Sequence, residues 1–149
     1  MARRERRTRV KIARVEPRVN YARSVSGGYK AMLALNNFAE NCGLEHSLLE
    51  LIKTRASQIN GCAFCIDMHT IDARAAGESE QRLYLLNAWR EAPFYTERER
   101  AALAWTEAAT LLMETPITDE EYEAARLLFY EEERVNLIRA RVTIQDPRR

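Results

Sequence analysis

Strand-like alternation of apolar and polar residues is nearly absent from this chain, and apolar residues recur instead every three or four positions. That period constrains the fold most, because it leaves helices as the elements from which to build a core. After Gly27-Gly28, the residues Tyr29, Met32, Leu33, Leu35, Asn36 and Ala39 keep helical spacing, and Gly43 ends the run as a C-terminal cap would. Leu44, Leu48, Leu51, Ile52, Arg55 and Ile59 mark the inward stripe of a second helix, broken at Asn60-Gly61. A third is expected from about Cys62 to Ala76, ended by Gly77. Ser79 reads as the N-cap of a fourth, which runs through Leu83, Leu86, Ala88 and Trp89 and closes ahead of Pro93. Thr96 with Glu99, and Thr118 with Glu121, have the spacing of capping boxes. They open a fifth helix with a stripe reaching Leu112 and Met113, and a sixth through Tyr122, Ala125, Leu128 and Phe129. From Glu131 to Arg149 the pattern supports either a short helix or an extended tail.

The expectation is therefore an all-α protein, one helical domain of about six to seven helices, mostly antiparallel hairpins with short connections. The domain spans residues 27–149, and residues 1–26 form a basic, irregular N-terminal extension. A length of 149 residues, 46% of them hydrophobic and 30% charged, suits one ordinary globular domain. The formal net charge of +1 gives no whole-chain field for nucleic acid or an anionic membrane. Arg3, Arg4, Arg6, Arg7, Arg9, Lys11, Arg14 and Arg18 read as a solvated tail. No aromatic residue interleaves them before Tyr21, so no nucleic-acid partner is expected. No run approaches the roughly 18 apolar residues of a membrane span, and no apolar segment follows the basic start as in a signal peptide. The chain is expected in the cytoplasm, where a structural disulfide framework is out of place. Of its three cysteines, Cys42 reads as a buried thiol, and Cys62 with Cys65 as a working pair.

The chemistry concentrates in Ile59-Asn60-Gly61-Cys62-Ala63-Phe64-Cys65-Ile66-Asp67-Met68-His69. Two cysteines three apart at a helix start share a face and lie within disulfide reach. Free N–H groups and the positive end of the helix dipole favour a thiolate there. His69 is one turn beyond Cys65 on the same face, placed to take a thiol proton directly or through one water. Glu50, on the preceding helix, comes beside His69 if the chain doubles back at Asn60-Gly61, and would orient the ring. Zinc is the main rival, with Cys62, Cys65, His69 and a carboxylate as ligands, but a second cysteine pair is missing. Covalent haem needs His directly after the second cysteine, where Ile66 stands, and a thioredoxin fold needs a βαβ pattern. Taken alone, Glu50 reads as an exposed helix glutamate, His46 as a local residue near a helix start, and Trp89 and Trp105 as core or subunit contacts.

Glu50, eleven residues, Cys62, two residues, Cys65, three residues, His69 is a pattern with four polar positions in fixed register. It resembles the proton-relay signature of the alkylhydroperoxidase D-like branch of the carboxymuconolactone decarboxylase family. The similarity runs from about Asn20 to Tyr130, through Leu48–Lys53, Leu83–Trp89 and Glu99–Glu107. The resemblance implies an all-helical fold assembled as a homotrimer or homohexamer, a hydroperoxide substrate, and an external dithiol reductant of lipoyl or thioredoxin-like type. It implies Cys65 as the peroxidatic thiolate, Cys62 as the resolving thiol, and His69 with Glu50 as their relay, with no metal or organic cofactor. Lactone decarboxylation, the chemistry of the family's other branch, has no use for a dithiol. A non-enzymatic alternative is a redox-responsive binding protein whose contacts change with the disulfide. The chain departs from the family near Asn136, where a long apolar helix gives way to Gln145-Asp146-Pro147-Arg148-Arg149, and at its charged N-terminal extension.

Overall fold

The computed structural model describes residues 21–142. Among them are eight α-helices and one 3-10 turn, with no strand. They are α1 (Tyr21–Ser24), α2 (Ser26–Glu40), α3 (His46–Ile59), α4 (Ala63–Ala75), α5 (Glu80–Leu85) with the 3-10 turn Leu86–Ala88, α6 (Glu97–Thr110), α7 (Asp119–Leu128) and α8 (Glu131–Val142). The all-α expectation holds. None of these helices is long and apolar enough to cross a membrane.

The punctuation of the sequence appears as local structure. Thr96 and Thr118 each accept the backbone N–H three residues on, while Glu99 and Glu121 return a carboxylate to the cap's own N–H, so both capping boxes are complete. Ser79 caps α5 by accepting from Arg82 N–H. Gly61 turns the chain between α3 and α4 with φ of +63°, a conformation in which a side chain would be strained.

α3 differs from its expected one-sided stripe. Leu48, Leu49, Glu50, Leu51, Ile52, Lys53 and Thr54 are buried in unbroken succession, followed by Ala56 and Ser57. The reason is its position, packed against α4, α6, α8 and the 3-10 turn. Leu48, Leu49 and Ile52 join Ala102, Trp105, Phe129 and Leu137 in the main core. Leu51 packs on another side with Leu86, Trp89, Tyr95 and Leu103, and Ala56 packs with Cys65.

Other elements depart from the sequence expectations. Residues 21–26, assigned to the irregular extension, are helical apart from a turn at Val25; residues 1–20 lie outside the described part of the chain. α2 runs through Gly27-Gly28 with ordinary negative φ. α6 stops at Thr110, whose hydroxyl donates to Thr106 O, and Leu112 and Met113 are exposed. Trp89 and Trp105 are buried within the single chain, so neither offers a subunit contact. α8 resolves the ambiguity after Glu131: Asn136, Leu137 and Ala140 are buried, and Asn136 Nδ2 donates to Cys42 O at 3.2 Å. Residues 143–149 fall outside the described part. Cys42 is half-buried beside the main core, less enclosed than expected.

One buried carboxylate ties three elements together. Glu107 of α6 accepts from Trp89 Nε1 at 2.8 Å, Arg55 Nε at 2.7 Å, and the Arg90 guanidinium. Burial pushes its pKa up, but the bonds from Trp89, Arg90 and Arg55 outweigh that and hold it below the ordinary value.

Leu137→Ala should cost about 2–4 kcal/mol in urea unfolding, as for a buried leucine in a packed site; an unchanged midpoint would mean that α8 is not docked. Glu107→Gln should cost about 1–3 kcal/mol at neutral pH, since the half-buried Arg55 and the buried Trp89 N–H lose a charged acceptor, while the exposed Arg90 can turn to water. A lowered folded pKa gives stability that is full above the ordinary value of 4.5 and is lost as pH falls through the folded value. The gap between wild type and Glu107→Gln should therefore narrow on acidification, as measured by unfolding at stepped pH.

Candidate active site

Residues nineteen apart in the chain meet where α4 folds back along α3: His69 Nδ1 lies 3.0 Å from Glu50 Oε2, and both side chains are buried. The turn at Asn60-Gly61 makes this approach, with Gly61 N–H bonded to Gln58 O and Cys62 N–H to Ser57 O. Glu50 is thus an interior residue, contrary to its reading as an exposed glutamate.

Cys62 is the N-cap of α4, in extended backbone, and its Sγ accepts from Cys65 N–H at 3.3 Å. Cys65 follows in the first turn, where no acidic residue opposes a developing negative charge. The two are joined as a disulfide, with Cα atoms 5.4 Å apart. Their exposures differ: Cys65 is buried against Ala56, whereas Cys62 is half-buried. Cys65, Met68, His69 and Ala73 form the inward face of α4, so Cys65 and His69 share it one turn apart.

The state of Glu50 decides which way the His69–Glu50 hydrogen bond runs. Burial pushes the Glu50 carboxyl up, but the His69 hydrogen bond and the Lys53 ammonium outweigh it, so its pKa falls below the ordinary carboxylate value. An ionised Glu50 only accepts, so Nδ1 must carry the hydrogen and donate to it. Nε2 is buried and has no hydrogen-bond partner among the described residues. Whenever the ring is neutral, its lone pair is on that nitrogen, one helical turn from Cys65.

Of the four residues singled out from the sequence, Glu50 meets His69 and Cys62 meets Cys65, with Cys65 and His69 one turn apart on the buried face of α4; Cys42 lies elsewhere, against the main core. Two further residues were passed over. Lys53, with about 1% of its surface exposed, donates to Glu50 Oε1 at 3.2 Å and to the Glu40 carboxylate of α2. Its position three residues after Glu50 on a helix was the available signal.

Among the described residues, two groups have ligand atoms within 4.8 Å of one another, Glu40–His46–Glu50 and Glu50–His69–Asp72. Both draw on Glu50, which already accepts from an ammonium and an imidazole. In the disulfide form neither sulfur is a thiolate able to bind zinc.

The carboxymuconolactone decarboxylase family model matches residues 28–108, which include every residue of this site. The uncharacterized Bacillus subtilis protein YdfG is 45% identical over 121 residues, covering 81% of this chain and 82% of its own. The uncharacterized Escherichia coli protein YnjA is 30% identical over 84 residues, 56% of this chain and 44% of its own. Among solved structures, a protein of unknown function from Agrobacterium tumefaciens, offered as a candidate antioxidant defence protein AhpD, superposes with a TM-score of 0.82. It is 46% identical, and the alignment covers 87% of this chain and 88% of that one. With the matched segment carrying α3, α4 and the paired cysteines at the start of α4, the chain belongs to the carboxymuconolactone decarboxylase family.

Proposed function

We propose that the protein is a thiol-dependent peroxidase that reduces hydroperoxides in the cytoplasm through a Cys62–Cys65 dithiol/disulfide cycle. The observation that carries this reading is the buried His69–Glu50 hydrogen bond, which leaves Nε2 unpartnered one turn from Cys65. A hydrogen-bonded carboxylate–imidazole pair beside a thiol at a helix start is what thiolate chemistry requires.

In the reduced enzyme, His69 Nε2 takes the Cys65 proton. The thiolate attacks one peroxide oxygen and the O–O bond breaks, giving a Cys65 sulfenic acid and an alkoxide, which takes the proton back from His69 and leaves as the alcohol. The Cys62 sulfur then displaces hydroxide from the sulfenic acid, and the disulfide forms with loss of water. An external dithiol of lipoyl or thioredoxin-like type restores the pair by exchange, itself becoming the disulfide. Cys65 is the first nucleophile because it shares the buried face with His69. Glu50 holds the ring's tautomer and stabilises its charged form.

The likeness to a protein offered as an antioxidant defence protein supports this choice over lactone decarboxylation, which leaves the sulfur pair idle. Assembly as a trimer or hexamer belongs to the same proposal, through surfaces other than Trp89 and Trp105.

Peroxide consumption should vanish in Cys65→Ser, whereas Cys62→Ser should complete one turnover and stop at the sulfenic acid, trapped by a dimedone-type reagent. His69→Gln should slow the first step by roughly 10²–10⁴-fold, the range of a positioned general base, with part of the loss recovered at higher pH. Glu50→Gln should show a smaller defect of the same kind. A folded His69→Gln reacting at the wild-type rate at pH 7 would refute the relay.

A further inference from the structure

Lys53 is an ammonium group almost without contact with water, placed among the side chains of the protein's central helix. Burying such an ion carries a large desolvation cost before its partners are counted, and an apolar replacement of similar volume is often no less stable. Its presence is therefore poorly explained by stability. Its partners point elsewhere. Nζ bonds Glu50 Oε1, on the carboxylate whose other oxygen bonds His69, and it also bonds Glu40 at the end of α2. Glu40, Lys53, Glu50 and His69 thus form one chain of polar contacts across three helices, open to solvent only at Glu40, which is about 30% exposed.

We infer that Lys53 is a positioning residue of the thiolate relay: its ammonium fixes one oxygen of Glu50 so that the other faces His69, and keeps that carboxylate ionised. The inference rests on reading Cys65, His69 and Glu50 as a relay. Two carboxylates and one ammonium leave a single negative charge on the chain of contacts, and an imidazolium at His69 cancels it. Without Lys53 the buried carboxylate loses the cation that offsets its desolvation, and retains its charge only at higher pH. Glu40 acts in the opposite sense, since it is a like charge near Glu50 and competes for the ammonium. Among the described residues, the other titratable groups facing the chain are His46, beside Glu40 and Glu50, Asp72, beside Glu50 and His69, and Cys65, one turn from His69; each is the same in every variant compared.

The test uses the reduced full-length chain carrying Cys62→Ser. Alkylation of Cys65 by iodoacetamide, read from the mass of its peptide across pH, measures thiolate formation without any peroxide. Lys53→Met should move the acidic limb of that profile up by about one pH unit or more, the effect of losing a nearby opposite charge. Lys53→Arg should restore most of it, and Glu40→Gln should move the limb down. A limb left in place by Lys53→Met, whatever happens to thermal stability, overturns the inference and makes Lys53 merely structural. Should Lys53→Met fail to fold, Glu40→Gln decides: a limb unmoved or moved up overturns it. If the limbs move as stated while the wild-type protein consumes no peroxide, Lys53 keeps its role and the peroxidase reading fails instead.

Discussion

A helix buried on every side has to be covered by several neighbours at once, and α3 is such a helix over its two central turns, Leu48 to Thr54. Its leucines and Ile52 supply two separate apolar clusters, so α6, α8 and the segment around Trp89 are held together largely through it. Because no face is left for solvent, its polar residues must find partners inside the protein or go without. Glu50 and Lys53 find each other, then His69 on α4 and Glu40 on α2. The site is in this sense a result of the packing: the interior position of α3 turns an ordinary helical glutamate–lysine pair into a buried polar connection reaching the cysteines' helix.

The two buried carboxylates among the described residues, Glu107 and Glu50, are satisfied in different ways. Glu107 is met by three donors, two of them guanidinium groups fixed in charge at any working pH, and so it serves as a permanent clamp between α3, α6 and the chain around Trp89. Glu50 is met by an ammonium and an imidazole, one on its own helix and one on α4. One arrangement joins α6 to two guanidinium groups, and the other links α3 to the helix that carries the cysteines. That contrast distinguishes the site from the structural ion pairs around it better than burial alone does.

Features of the sequence that act locally were legible. Capping boxes at Thr96 and Thr118 and the Ser79 cap depend only on residues three apart, and each is present. The spacing of Glu50, Cys62, Cys65 and His69 was legible as well, because the chain returns after a short, glycine-marked turn. What escaped depends on three-dimensional context. Lys53 looks like any solvent-seeking lysine until α2 and α4 close over it, and the stripe assigned to α3 described one side of a helix that has no outer side. Trp89 and Trp105 are apolar enough for a core or for a subunit contact, and only the packing decides for the core. α8 carries too many charges to announce itself, yet Leu137 and Ala140 suffice to dock it.

The start of α4 shares its geometry with those caps. At Thr96 and Thr118 the N-cap and the third helical residue are linked by hydrogen bonds that can break and re-form. At Cys62 the same two positions are linked by a sulfur–sulfur bond as well as by the contact from Cys65 N–H to Cys62 Sγ. The bridge is thus a covalent counterpart of a capping box. While it lasts, the first turn of α4 cannot fray. Once it is reduced, only hydrogen bonding closes that end of the helix. The bridge thus sets the local stiffness of a single helical turn, the one that packs on α3 through Cys65 and Ala56.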